Sequence, residues 1–217
     1  MSTLAGSRFE RVISVIIAAC VVVVSAVAVY RMLGGQQPDP VLRTVSRGDW
    51  EMLAGSGIRF GVENAPVRIV VFVDYECPFC RQYQQMIERL MQDGTLSFGV
   101  AVHDYPLSIH PGAPRAAAAA HCAEAISYSP RAAALYGWQD STHSPDALQL
   151  AFAMGVPDPE AVRACIDERL SSTFVDSVRS VGERFGVNST PTVLVDRDLF
   201  RLPPLEEELR RLLDKRR

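Results

Sequence analysis

The sequence has no surplus of charge. Its 217 residues carry 22 Lys and Arg against 25 Asp and Glu, a net charge of -3. There is no basic field to favour nucleic acid, so no nucleic-acid partner is expected. Histidine is scarce and scattered (His103, His110, His121 and His143), and no HExxH-type pair is present. No pattern for a metal or a cofactor stands out, and no internal repeat is found. Cysteine is sparse too. Five are too few for a small disulfide-stapled scaffold, yet they fall into a pattern. Cys77 and Cys80 form a C-x-x-C pair, Cys122 and Cys165 stand far apart, and Cys20 lies inside an apolar run. Two potential bridges suggest an oxidising compartment, provided that the leader supports export. What is present otherwise is ordinary: 22% charged and 48% apolar residues, enough for one mid-sized domain with a leader, or at most two small domains.

The leader is the one long hydrophobic run. From Val12 to Tyr30 the chain reads VISVIIAACVVVVSAVAVY without a charge. At a rise of about 1.5 Å per residue it nearly matches a hydrocarbon core of about 30 Å. Arg8 and Arg11 precede it and Arg31 follows, so the positive-inside comparison votes only weakly for residues 1–11 in the cytoplasm. Oxidisable cysteines downstream place the following domain outside, in the periplasm. An uncleaved anchor over residues 12–30 is expected. Ala26-Val27-Ala28 resembles a signal-peptidase site, and Ile17-Ala18-Ala19-Cys20 resembles a lipoprotein box. Apolar sequence continues past both, where a polar segment would be expected.

Residues 31–49 read as a juxtamembrane linker, polar and rich in glycine and proline over Gly34–Pro40. The pattern from Val41 to Gly61 is mixed, with a short helix around Trp50 and Leu53. A domain spanning 50–217 follows. Val67–Val73 is β-branched and apolar, which suits a central strand buried on both faces. Directly after Cys77-Pro78-Phe79-Cys80, a helix carries Tyr83, Met86, Ile87, Leu90 and Met91 on one face and ends at Gly94. Leu96–Val102 is a second strand. From His110 to Leu170 prolines punctuate several short helices, opened by serine, aspartate or proline, and Ala116–Ala120 suits a close-packed helix. A helix over Phe174–Phe185 closes at Gly186. Val193–Val195 and Leu199-Phe200 form a hairpin turning at Arg197-Asp198, before a terminal helix over Leu205–Leu213. One α/β sheet with a helical insertion buries all of these faces.

A strand feeding straight into a helix puts Cys77 at the helix N-terminus. There, unpaired N–H groups and the positive end of the dipole stabilise a thiolate. Pro78 fits the first turn, where its missing N–H costs nothing. Cys80 is shielded one turn further in. The expected division of labour is an exposed Cys77 that forms a mixed disulfide and a Cys80 that resolves it. C-x-x-C cysteines have pKa values from about 3.5 to about 7.5, and a lower value makes the disulfide the stronger oxidant. Asp74 and Glu76 are close enough in sequence to oppose the dipole. C-x-x-C is also half of a zinc site, but Cys122 and Cys165, the obvious further ligands, show no paired spacing.

The segments Ala65-Pro66-Val67 and Phe72-Val73-Asp74-Tyr75-Glu76-Cys77-Pro78-Phe79-Cys80-Arg81 resemble the DsbA-like branch of the thioredoxin superfamily. Ser189-Thr190-Pro191-Thr192-Val193 resembles its cis-proline loop, and the helical block, about 108–172, its insertion. The resemblance covers Trp50 to Leu213. It implies a thioredoxin fold with an inserted α-helical subdomain, here preceded by the one N-terminal transmembrane helix expected from the apolar run. It further implies a redox-active Cys77–Cys80 disulfide with Pro78 and Phe79 beside it, and a cis Thr190–Pro191 bond packed against the pair. It implies a structural Cys122–Cys165 disulfide across the insertion. The activity implied is oxidation of cysteines in exported polypeptides, without a cofactor, with recycling by a quinone-linked membrane partner. A reductase or isomerase of the same fold, or a non-catalytic binding module or metal carrier, remains as an alternative. There are departures. Thioredoxin-type reductases often carry a buried acid where this chain has Val71, which disfavours that direction, and the last hairpin lacks a common glycine. His103 and His110 are candidates to line a groove by the thiolate, or to be capping or surface histidines. His121 beside Cys122 reads as facing away. Tyr136 and Trp138 read as core anchors.

Overall fold

The structure, a computed structural model, describes residues 4–32, 40–65, 67–123, 126–140 and 145–215. It comprises two units, Met1–Pro40 and Val41–Arg217. In the first lies α1 (Leu4–Met32), longer at both ends than the expected 12–30. Within it Ile13–Tyr30 is long and apolar enough to cross a membrane, with a mean hydropathy of 2.8 and no part of it buried. Valines on every side of a helix leave no polar face to turn toward water. Of the expected linker over 31–49, residues 33–39 lie outside those described, as do Pro66 and His143.

The second unit is built on a six-stranded sheet of order β1-β6-β5-β3-β4-β2. At its centre β3 (Val67–Val73) pairs in parallel with β4 (Phe98–Asp104) and antiparallel with β5 (Thr192–Val195). Both faces of β3 are covered, which is why the run does not alternate. Ile69, Val71 and Val73 pack into one core with α3 (Pro78–Asp93), while Val70 and Phe72 pack into a second with Leu53. α3 buries Tyr83, Met86, Ile87 and Leu90 and is capped by Gly94 at φ 70°, the left-handed conformation that closes a helix.

Three expectations are corrected. The second strand runs to Asp104, because the parallel ladder continues to Val73 opposite Asp104; His103 therefore lies within it. The sheet begins at Val41, not Trp50. β1 (Val41–Thr44) pairs with β6 (Asp198–Phe200), and β2 (Ile58–Gly61) pairs with β4, so residues 41–49 belong to the domain. Between these strands, α2 (Arg47–Gly55) is capped by Ser46, whose hydroxyl accepts from the Asp49 N–H at 3.1 Å. The last hairpin turns at Asp196-Arg197, with Asp198 already in β6. Asp196 takes φ 52°, which aspartate tolerates better than most residues, so no glycine is needed.

The insertion comprises α4 (Ala113–Cys122), α5 (Tyr128–Gly137), a 3-10 turn Trp138–Asp140, α6 (Ala147–Ala153) and α7 (Pro159–Ser171). Asp146 and Gln149 cap α6 reciprocally and Asp158 caps α7, whereas α4 starts from Gly112 rather than from serine or aspartate. Ala118, Ala119 and Ala120 are wholly buried, since only a small side chain allows so close an approach. Cys122 and Cys165 are joined in a disulfide that ties α4 to α7. α8 (Phe174–Arg184) leads through Gly186 to β5, and α9 (Glu206–Lys215) completes the chain.

Candidate active site

Cys77 is the N-cap residue of α3, with Pro78 in the first turn and Cys80 one turn in. Both thiols are unbridged. The turn that presents them is held from three sides. The buried Asp74 carboxylate accepts from the N–H of Glu76 at 2.7 Å, the N–H of Leu107 at 2.7 Å and His110 Nδ1 at 2.9 Å. Glu76 Oε2 accepts from the Gly112 N–H at 3.0 Å. Gln139 Nε2 donates to the carbonyls of Tyr75 and Cys77, at 2.8 and 2.9 Å. The insertion therefore grips the active-site turn directly.

The Thr190–Pro191 bond is cis, and Cys77 Sγ lies 3.3 Å from the Thr190 carbonyl oxygen, to which it donates only when protonated. This contact overturns one expectation. Cys77 is only 4% exposed against 1% for Cys80, because a segment 113 residues away covers it. The order of exposure follows position in the helix; its extent does not. Pro78 and Phe79, between the two cysteines, are exposed, Phe79 at 65%.

The two sulfurs differ in acidity. The pKa of Cys77 falls from 9.0 to about 5, chiefly because the Cys80 thiol hydrogen-bonds to it. Burial opposes this, while the Thr190 side chain and the N–H groups of Cys80 and Phe79 add to it. Cys80 is pushed well above 9 by burial, and further by its bond to Cys77 and by that residue's charge. At pH 7 a thiol of pKa 9 is about 1% ionised, whereas Cys77 is almost wholly thiolate. The expected opposition of Asp74 and Glu76 is not among the main causes; both carboxyls are engaged with backbone N–H groups instead.

His103 does not line this site. Its ring lies on the opposite face of the sheet, 5.3 Å from that of Phe72, with Nε2 2.8 Å from the Leu53 carbonyl, and burial lowers its pKa. His110 supports the active-site turn through Asp74. His121 Nε2 lies 2.8 Å from Asp104 Oδ2. Tyr136 is buried as expected, and Trp138 is partly so. Bonded to each other, Cys122 and Cys165 are not available as ligands with the C-x-x-C pair. Among the described residues no group of three or more His, Cys, Asp or Glu is placed to hold a metal ion. Gln139 and the Asp74 network were missed in the sequence. Neither belongs to a motif, although a carboxylate directly after an apolar strand is a usable signal.

The sequence model of the thioredoxin family, Thioredoxin_4, matches residues 54–215. The chain belongs to the thioredoxin family. Its strand–CPFC–helix and its cis-proline loop both lie inside the matched region. Thioredoxin folds with inserted helices are also what the solved structures show. BdbD of Bacillus subtilis, in its oxidised form, superposes with a TM-score of 0.62 at 18% identity, over 82% of this chain and 98% of that one. A thioredoxin-like oxidoreductase from Silicibacter pomeroyi gives 0.63 at 20%, over 79% and 97%. The thiol-disulfide exchange protein α-DsbA2 of Wolbachia pipientis gives 0.62 at 19%, over 77% and 92%. At these identities the likeness is one of fold. Among curated proteins, the Na(+)/H(+) antiporter NhaA 3 of Salinispora tropica is 28% identical over 137 residues. The match takes in 63% of this chain but only 21% of that protein's length.

Proposed function

We propose that this thioredoxin-family chain is a membrane-anchored extracytoplasmic thiol–disulfide oxidoreductase that oxidises cysteines of exported polypeptides through Cys77 and Cys80. The carrying observation is the acidity split between the two sulfurs at the head of α3. A thiolate at Cys77 stabilises the reduced pair, which makes the disulfide the stronger oxidant. A substrate thiolate attacks Cys77 Sγ and expels Cys80. A second substrate thiol then displaces Cys77, whose low pKa makes it a good leaving group. Because Cys77 is so little exposed, the attack requires the Thr190 segment to give way. The apolar α1 supplies the anchor, and the Cys122–Cys165 bond fits an oxidising compartment. Recycling falls to a membrane redox partner, quinone-linked in this reading.

The test is capture in intact cells. Cys80→Ser leaves Cys77 without its resolving thiol, so exported cysteine-containing polypeptides are expected in mixed disulfides with Cys77. The unaltered pair is expected to be mostly disulfide. A pair found mostly reduced at a low potential points to a reductase or isomerase instead. Thiol exchange left intact by Cys77→Ala contradicts catalysis by this site altogether.

A further inference from the structure

Every cycle of the proposed exchange must give Cys80 a proton when the disulfide opens and remove it when the disulfide closes. Cys80 is 1% exposed, so that proton needs a route through the protein. Beyond the catalytic pair, on the same face of the sheet, lies a group of buried polar residues whose role the mechanism leaves unassigned. Asp104 ends β4 opposite Val73, and Tyr75 follows two residues later on the active-site turn. Tyr128 and Tyr136 come from α5, and the ring of Tyr136 is 5.1 Å from that of Tyr75. All four residues are at most 3% exposed. Their three hydroxyls and both carboxylate oxygens are shut off from solvent.

The group touches both ends of a path. Inward, Tyr75, Tyr128 and Tyr136 belong to the same buried core as Cys80. Outward, His121 Nε2 is 2.8 Å from Asp104 Oδ2, with 26% of the His121 side chain exposed against 1% for Asp104. His121 and Tyr128 line an open cavity of about 480 Å³, which Arg59 and Arg131 also border. The ionisable groups facing Asp104 are therefore His121 and the three tyrosines, with His103 acting from the other side of the sheet. Cys80 is bordered by Cys77, Thr190 and the Asp74 backbone, and shares its core with the tyrosines.

We propose that His121 and Asp104, with Tyr75, Tyr128 and Tyr136, form the proton path between solvent and Cys80. This rests on the exchange chemistry of the preceding section. When a substrate thiolate attacks Cys77, the Cys77–Cys80 bond breaks, a substrate–Cys77 bond forms, and Cys80 leaves as a thiolate. The path protonates it, and His121 takes up a replacement proton from solvent. In the reverse direction the Cys80 thiol gives its proton to Asp104 and attacks Cys77 Sγ in the mixed disulfide, and the bound partner leaves as a thiolate. Asp104 is a positioning residue and proton acceptor that touches neither reacting sulfur.

The test mixes the full-length reduced chain in detergent with glutathione disulfide and follows the Cys77–glutathione adduct by acid quench and mass spectrometry. In Asp104→Asn the adduct is expected to persist about tenfold longer near neutral pH, with the difference vanishing at about pH 9 to 10, where hydroxide removes the proton directly. The alkylation midpoint of Cys77 is expected to stay unchanged. His121→Ala, at the half-open end of the path, is expected to act in the same direction and to be restored by added imidazole, which fits the cavity. It decides the matter should Asp104→Asn not fold. An adduct lifetime that is unchanged, or lengthened equally at every pH and not rescued by imidazole, overturns the path. An unaltered chain that forms no adduct overturns the exchange reading itself.

Discussion

Two cysteines separated by two residues are chemically unlike because Cys77 takes a hydrogen bond from Cys80, while burial holds Cys80 protonated. The difference gives a signed pH dependence. Cys77 has a folded pKa of about 5 against 9.0 unperturbed, so its thiolate stabilises the reduced fold fully above about pH 9. That contribution is lost as pH falls through about 5. Cys80, raised above 9, acts in the opposite sense only at higher pH. The stability of the reduced protein over that of Cys77→Ser is therefore expected to grow between about pH 5 and 9. Denaturant midpoints of the two proteins across that range check it, and a constant difference contradicts it. The pairing of Cys77 with Cys80, and the helix position behind it, were legible in the sequence. The shielding of Cys77 was not, because its cover is a carbonyl from residue 190, and no local pattern reports so distant a contact.

At the scale of elements, legibility followed length and covering. β3 and α3 were readable because one is apolar on both faces and the other repeats its apolar residues at helical spacing. β1 and β2 have four residues each, lie at the sheet edges and leave much of their surface open, so neither shows a run or a clean alternation. α8 shows how tightly the elements behind the site are fitted. A Cβ on Gly182 would stand 2.4 Å from Tyr105 Cδ2 and 2.8 Å from Cε2, with Tyr105 itself buried just past β4. Gly182→Ala is expected to destabilise the domain by about 1–3 kcal/mol, since overpacking outweighs alanine's better helix propensity of about 1 kcal/mol. Urea unfolding measures this, and a gain in stability would show that the ring has room to move.

For the whole molecule, the leader was legible as an uncharged apolar run, and the insertion and its disulfide through the family resemblance, while the start of the sheet at Val41 came only from strand pairing. The Cys122–Cys165 bond closes a loop across 43 positions, far from the redox pair in sequence. Replacing both cysteines by alanine is expected to cost up to about 4 kcal/mol, mainly through the freer unfolded chain. Thiol exchange at Cys77 is expected to persist in the folded fraction; its loss there would mean that the insertion's cross-link shapes the site itself. Gln139 and Gly112 connect the insertion to the active-site turn, so such a result would travel through those contacts.

The most direct measurement is the ionisation of Cys77 in the reduced full-length protein, read from its alkylation rate and thiolate absorbance against pH. The account expects a single low-pH midpoint near 5 that disappears in Cys77→Ser. A midpoint near 8 to 9, about where an ordinary cysteine titrates, would contradict it.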